Sequence, residues 1–279
     1  MVKSILLTID GSTYSEGVLQ YGIELAKKFK AYLRVLTVVD IRFFESTIAI
    51  GVEGFAPILP SASYQEDSQK LLNEKADEIL KKVEEILKSK KVQFSIQKES
   101  GNPVDVICEK SRLVDLVIMG ARGEFERWSD KMLGTTLEAT SRLNIKPILV
   151  TPKKYQDIKK ILIAYDGSNN SIKALTFGAF FSTVLQADVI LLNVKNSDEI
   201  SKEIIQEAKE YLSNYEIPAI EEKIVEGEPT EKIVEVANTT NSNLIIMGAY
   251  GHSRIREAIL GSTTVQVMRK ATMPILMSR

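Results

Sequence analysis

Residues 3–12 read KSILLTIDGS and residues 159–168 read KKILIAYDGS. Each is a short aliphatic run ending in Asp-Gly-Ser, the pattern of a strand buried on both faces that runs into a tight turn. Further matches come in the same order. DLVIMGARG at 115–123 answers NLIIMGAYG at 243–251, LGTT at 133–136 answers LGST at 260–263, and KPILVTP at 146–152 answers MPILMSR at 273–279. Four landmarks repeated in one order make the chain a duplication. The copies are read as 1–152 and 157–279, joined where Pro152 and polar residues mark a linker.

Within each copy, short apolar runs alternate with helical stretches. Strands are expected at 4–9, 32–39, 92–98, 115–119 and 147–151, with helices at about 14–29, 67–89, 103–112 and 135–143. The second copy repeats the strands at 160–165, 188–194, 219–225, 244–247 and 274–277. Such alternation predicts an α/β fold of two doubly wound domains, each a parallel five-stranded sheet with helices on both faces. Pro103 and Pro229 stand where helices should begin. The first copy is the longer, and its surplus falls mostly in 41–68, an apolar stretch with Gly and Pro and no sustained period. A loop of that length is expected to work as a lid, a plug or an interface. Residues 70–91, rich in Lys and Glu, read as an amphipathic helix with Leu72, Ala76, Ile79, Leu80, Val83 and Leu87 facing inward.

Composition narrows the chemistry. The chain has 279 residues, 36 Lys+Arg against 37 Asp+Glu, one Cys and one His. A net charge of -1 gives no basic field for nucleic acid or anionic membrane. One cysteine, Cys108, excludes an internal disulfide or a Cys-ligated metal, and its apolar helical neighbours suggest a buried small hydrophobe. One histidine, His252, excludes a multi-His metal site, so no metal ligands are assigned. No apolar run approaches the roughly 18 residues of a membrane span, and the start does not read as a signal peptide. The expectation is a cytoplasmic protein.

Ligands of open α/β sheets bind beyond the carboxyl ends of the strands. There the chain places Asp10-Gly11-Ser12 and Asp166-Gly167-Ser168, and the glycine loops after strand four. Glycines admit an anion close to backbone amides, and a helix start adds the positive end of its dipole. Arg254 suits phosphate oxygens, and His252 is more naturally a solvated loop residue.

These residues together resemble the universal stress protein family in its tandem form, over essentially the whole chain. Nucleotide-binding members carry G-x2-G-x9-G-[S/T] after strand four, and the second copy matches through Gly248, Gly251, Gly261 and Ser262. The resemblance implies sheet order 3-2-1-4-5 and an adenine nucleotide (ATP, AMP or ADP, with or without Mg²⁺) between strands one and four. It implies a second-copy site of Ala164, Asp166, Val194, Met247, Gly248, Gly251, Arg254, Gly261, Ser262 and Thr263. It also implies that the two copies pair through strand five within one chain, leaving a homodimer or a protein partner open.

The first copy departs from the pattern. Ten residues separate Gly123 from Gly134 rather than nine, and they include Glu124, Glu126 and Trp128. Carboxylates beside a polyphosphate repel it. The nucleotide is therefore expected mainly in the second copy, with Asp10, Val38, Gly120, Gly123, Gly134, Thr135 and Thr136 as the lesser site. Three other readings compete. An ATPase lacks a P-loop and a pair of acids for Mg²⁺ and base. A receiver-type phosphoacceptor fails on its acid and lysine positions. A scaffold of the same fold without ligand is the remaining alternative.

Overall fold

The computed structural model describes residues 1–42, 62–123, 133–194, 198–249 and 261–278. In the first half these form β1 (Ser4–Thr8), α1 (Ser15–Phe29), β2 (Tyr32–Asp40), α2 (Ala62–Ser89), β3 (Phe94–Gly101), α3 (Pro103–Ser111), β4 (Leu116–Gly120), α4 (Thr135–Leu143) and β5 (Ile148–Thr151). The second half repeats the series as β6 (Lys160–Ala164), α5 (Asn169–Leu185), β7 (Asp188–Val194), α6 (Asp198–Ser213), β8 (Ile220–Val225), α7 (Pro229–Thr239), β9 (Leu244–Gly248), α8 (Ser262–Lys270) and β10 (Ile275–Ser278). The expected element order holds, with ends moved by a few residues.

All ten strands form one sheet, in the order β3-β2-β1-β4-β5-β10-β9-β6-β7-β8. Each half has the order 3-2-1-4-5 and is parallel throughout. The halves meet where β5 and β10 run antiparallel, with Leu149 opposite Leu276. Alternate residues explain how both faces are covered. Ile5, Leu7, Leu33 and Val35 join the core under α1 and α2, while Leu6, Leu36, Val117 and Met119 join the core with Ile107 of α3 and Leu137 of α4.

Both cores run through the seam into the second half. On one face Phe29 of α1 meets Phe180 and Phe181 of α5, with ring centroids 5.0 and 4.9 Å apart. The segment between β5 and β6 lies against α1. Tyr155 packs edge-on to Tyr21 at 4.7 Å, and the Gln156 amide donates to the Tyr21 hydroxyl at 3.2 Å. Burial raises the Tyr21 phenol above its ordinary pKa, so it stays neutral and hydrogen-bonds as a hydroxyl.

Two expectations need correction. Residues 62–68 are helical, not part of an irregular insert, because α2 begins at Ala62. The helix has 28 residues against 16 in α6, so part of the surplus in the first half is extra helix. Residues 43–61 lie outside the described residues. Cys108 is half-buried rather than fully buried, and partial desolvation raises its thiol pKa.

Candidate functional site

The reversal of strand order falls between β1 and β4 in the first half, since β1 pairs with β2 on one side and β4 on the other. The second half repeats this around β6. Two parallel strands whose connections leave in opposite directions open a crevice at their carboxyl ends. In the first half that crevice is a cavity of about 630 Å³.

Its floor begins with Asp10. The turn after β1 needs a left-handed residue, supplied by Gly11 at φ +77°, and Gly167 repeats the value. Asp10 Oδ1 accepts from the Ser12 amide at 2.9 Å and from the Ser15 hydroxyl at 3.0 Å. Asp166 accepts in the same way from the Ser168 amide at 3.0 Å. In Asp10 these bonds fix one carboxylate oxygen and leave the other toward the glycine loop. A Cβ on Gly123 would stand 2.9 Å from Asp10 Oδ2, so only glycine lets loop and carboxylate come this close.

The loop itself is tied down at both ends. The Ala121 amide donates to Thr151 O, and the Gly134 amide donates to Ala121 O, each at 3.1 Å. Gly134 is the N-cap of α4, whose first residues are Thr135 and Thr136. The first amides of a helix have no partner inside it, so they and the two hydroxyls offer donors to an anion. Opposite them, Thr37 Oγ1 donates to Ile9 O at 2.8 Å, tying the end of β2 to that of β1. In the second half Asn193 does this through Nδ2, donating to Tyr165 O at 2.8 Å.

All seven residues expected in the first copy, Asp10, Val38, Gly120, Gly123, Gly134, Thr135 and Thr136, line this one cavity. Other residues of the lining were not expected at the site. Asp40 and Arg42 form a two-pronged ion pair at the end of β2, with Arg42 Nε on Oδ1 at 2.9 Å and Nη2 on Oδ2 at 2.5 Å. Donating these hydrogen bonds to Asp40 raises the Arg42 guanidinium pKa, which keeps it charged. Leu71 and Leu72 of α2 wall the cavity, although Leu71 is 67% exposed. Arg122 sits between the two loop glycines, and could have been found by reading the variable positions of the motif itself.

In the second half Ala164 pairs with Met247 across β6 and β9, and Val194 ends β7 beside them. Gly248 lies tight on α5, where a Cβ would meet the Ser171 amide nitrogen at 3.0 Å. Gly261 caps α8, which opens with Ser262 and Thr263. Ala164, Asp166, Val194, Met247, Gly248, Gly261, Ser262 and Thr263 thus gather at the carboxyl end of that half's sheet. Gly251, His252 and Arg254 lie outside the described residues, as do Glu124, Glu126 and Trp128 of the first half. A cavity lined by described residues stands in the first half, while residues 250–260, which include most of the second half's glycine loop, lie outside the described residues.

A doubly wound α/β protein with a cavity at its switch point is the class that fold and site define. The universal stress protein family model matches residues 1–152 and 195–279, and the chain belongs to that family. A universal stress protein of Synechocystis is 31% identical over 288 aligned residues, covering all of both chains. One of Methanocaldococcus jannaschii is 29% identical over 150 residues, covering 42% of this chain and 93% of its own. The crystal structure of a universal stress protein from Archaeoglobus fulgidus superposes with a TM-score of 0.78 over 99% of this chain and 98% of its own, at 21% identity, which shows the shared fold. Among the described residues no helix is long and apolar enough to cross a membrane.

Proposed function

We propose that the chain binds adenine nucleotide, ATP or AMP, and acts in stress response by presenting a nucleotide-dependent surface, without turnover as its task. The observation that carries this is the cavity of about 630 Å³, where the Asp10 carboxylate, a glycine loop and a helix N-terminus converge. Its volume lies within the range of cofactor sites. Its apolar walls, Val38, Leu36 and Met119, suit a flat base, and Asp10 Oδ2 suits a hydroxyl or amine donor. The second half keeps the same Asp and glycine positions, so a site in each half is the reading adopted.

Binding rather than catalysis is supported by how the acids are used. Of the carboxylates lining the cavity, Asp40 is held by Arg42, and Asp10 already accepts two hydrogen bonds. A phosphoryl-transfer site needs acids for a metal ion and for positioning the nucleophile.

Isothermal titration of ATP and of AMP into the full chain tests the reading. Removing the carboxylate in Asp10→Ala deletes a charge-assisted hydrogen bond of about 1.5–3 kcal/mol. The first-half affinity should fall roughly 10- to 100-fold. The matching Asp166→Ala change should act on the other site. No heat with either nucleotide in the wild type would overturn the proposal and leave the scaffold reading. Sustained multiple turnover of ATP with Mg²⁺ would favour the enzyme.

A further inference from the structure

The net charge of -1 conceals an uneven distribution. In each half, the turns that lead from a helix into the next strand, with the residues before the first strand, lie at the amino end of the parallel sheet. In the first half these segments are 1–3, 30–31, 90–93, 112–115 and 144–147. They carry six cations, Lys3, Lys30, Lys90, Lys91, Arg112 and Lys146, and one acid, Asp115. The corresponding second-half segments are 157–159, 186–187, 214–219, 240–243 and 271–274. They carry one cation, Lys159, and two acids, Asp157 and Glu216. The absence of a basic field thus holds for the whole chain and not for this end.

Among the described residues none of the six cations has an ion-pair partner. By contrast Lys27, Lys88 and Arg142, in the last helical turns, are each paired with an acid on the same helix. Asp115 is turned onto the backbone, where Oδ2 accepts from the Lys3 and Ser4 amides at 2.7 and 3.0 Å. A cation just past a helix C-terminus is favoured by the helix dipole. That does not account for the difference between the halves. Lys30 and Gln186 hold the same left-handed C-cap, at φ 52° and 53°, so the backbone does not require the charge.

A second feature stands on the same end. Leu113 is 80% exposed, Ile145 66% and Leu143 58%. The two turns that carry them are fastened together. Ser111 Oγ donates to Asn144 Oδ1 at 2.5 Å, and Asn144 Nδ2 donates to Lys146 O at 3.0 Å. The second half has Asn241, Lys270 and Thr272 at the corresponding places, so the same fold forms with polar residues there.

Side chains exposed to this degree are tips rather than the walls of a groove, and a partner helix or peptide would find no slot between them. A second copy is opposed by charge, because a two-fold contact sets this end against itself, cation against cation. An anionic lipid surface matches both features at once. Its headgroups attract the cations, and its acyl boundary takes up aliphatic tips without a preformed groove. We propose that the amino end of the first half docks reversibly on anionic lipid bilayers, with Leu113, Leu143 and Ile145 inserted and the turn cations on the headgroups. The first-half cavity lies at the opposite end of the same strands, so it stays open in the docked protein. Docking uses no residue of that cavity and stands without the nucleotide reading.

The test is flotation of the full chain with vesicles of phosphatidylcholine alone and of phosphatidylcholine with phosphatidylglycerol. The wild type should float with the anionic vesicles and not with the neutral ones, and added salt should release it. Lys90→Gln, Lys91→Gln and Arg112→Gln together should weaken the anionic partition about 100-fold. Leu113→Asn with Ile145→Thr, the residues that the second copy carries, should weaken it about tenfold and leave the salt dependence unchanged. Both variants should keep the wild-type urea midpoint, since the replaced side chains are exposed. A wild type that does not float with anionic vesicles overturns the proposal, and so does equal flotation with neutral ones. An unchanged partition in Leu113→Asn with Ile145→Thr overturns it too, because the end would then only gather polyanions. RNA or polyglutamate that binds at lower concentration than the vesicles, through the same cations, overturns the lipid in favour of that partner.

Discussion

Gly17 is the third residue of α1, in its first turn, and glycine is a poorer helix former than alanine. A Cβ there would overlap the carbonyl oxygen of Pro152 and crowd Lys153 O. The corresponding residue of the second copy, where no linker crosses, is Lys173. Gly17→Ala should therefore destabilise by about 1–3 kcal/mol, the range of an overpacked contact, despite its gain in helix propensity. Urea unfolding measures this, and a raised midpoint would show that the linker does not press on α1. At the site, Asp10 and the loop glycines were legible because their chemistry is tied to local turns. Thr37 and Asn193 were not: each is a polar residue inside an apolar strand, and its partner carbonyl lies 28 residues away.

Helix starts show how much an element can declare by itself. Asn102 caps α3 by accepting from the Val104 amide at 3.0 Å, with Pro103 at the first position, and Glu228 with Pro229 does the same for α7. Replacing Asn102 by alanine should cost about 1 kcal/mol in denaturant titration and leave ligand affinity unchanged, because the cap bond is local. A large affinity change would instead make Asn102 part of the cavity wall. The first turns of α2 were illegible for the opposite reason. The run ASYQEDS at 62–68 has no apolar periodicity, and its helical state follows by propagation from the later, amphipathic turns of α2.

Across the whole molecule, the two copies share their cores and a continuous sheet. Unfolding should accordingly be one cooperative transition. Near-ultraviolet circular dichroism, to which buried Tyr21 and Tyr165 contribute, reports on packing in the two halves, and far-ultraviolet circular dichroism reports on their secondary structure. The two curves should coincide. Phe181→Ala, which empties a fully buried ring site against Phe29, should lower them together by about 3–5 kcal/mol. Separate transitions would mean that the seam adds little to stability.

The amino-acid sequence alone determined the duplication, the order of strands and helices, and the position of the Asp and glycine turns. Those features rest on periodicity and on residues close together along the chain, where backbone sterics and side-chain alternation act. Tertiary structure decided the rest. The antiparallel meeting of β5 with β10 joins the halves, α2 walls the first-half cavity, and cations spread from Lys3 to Lys146 are brought to one end of the first half's sheet. The physical reason is that such contacts depend on how finished surfaces pack, and two copies of one pattern pack with different neighbours.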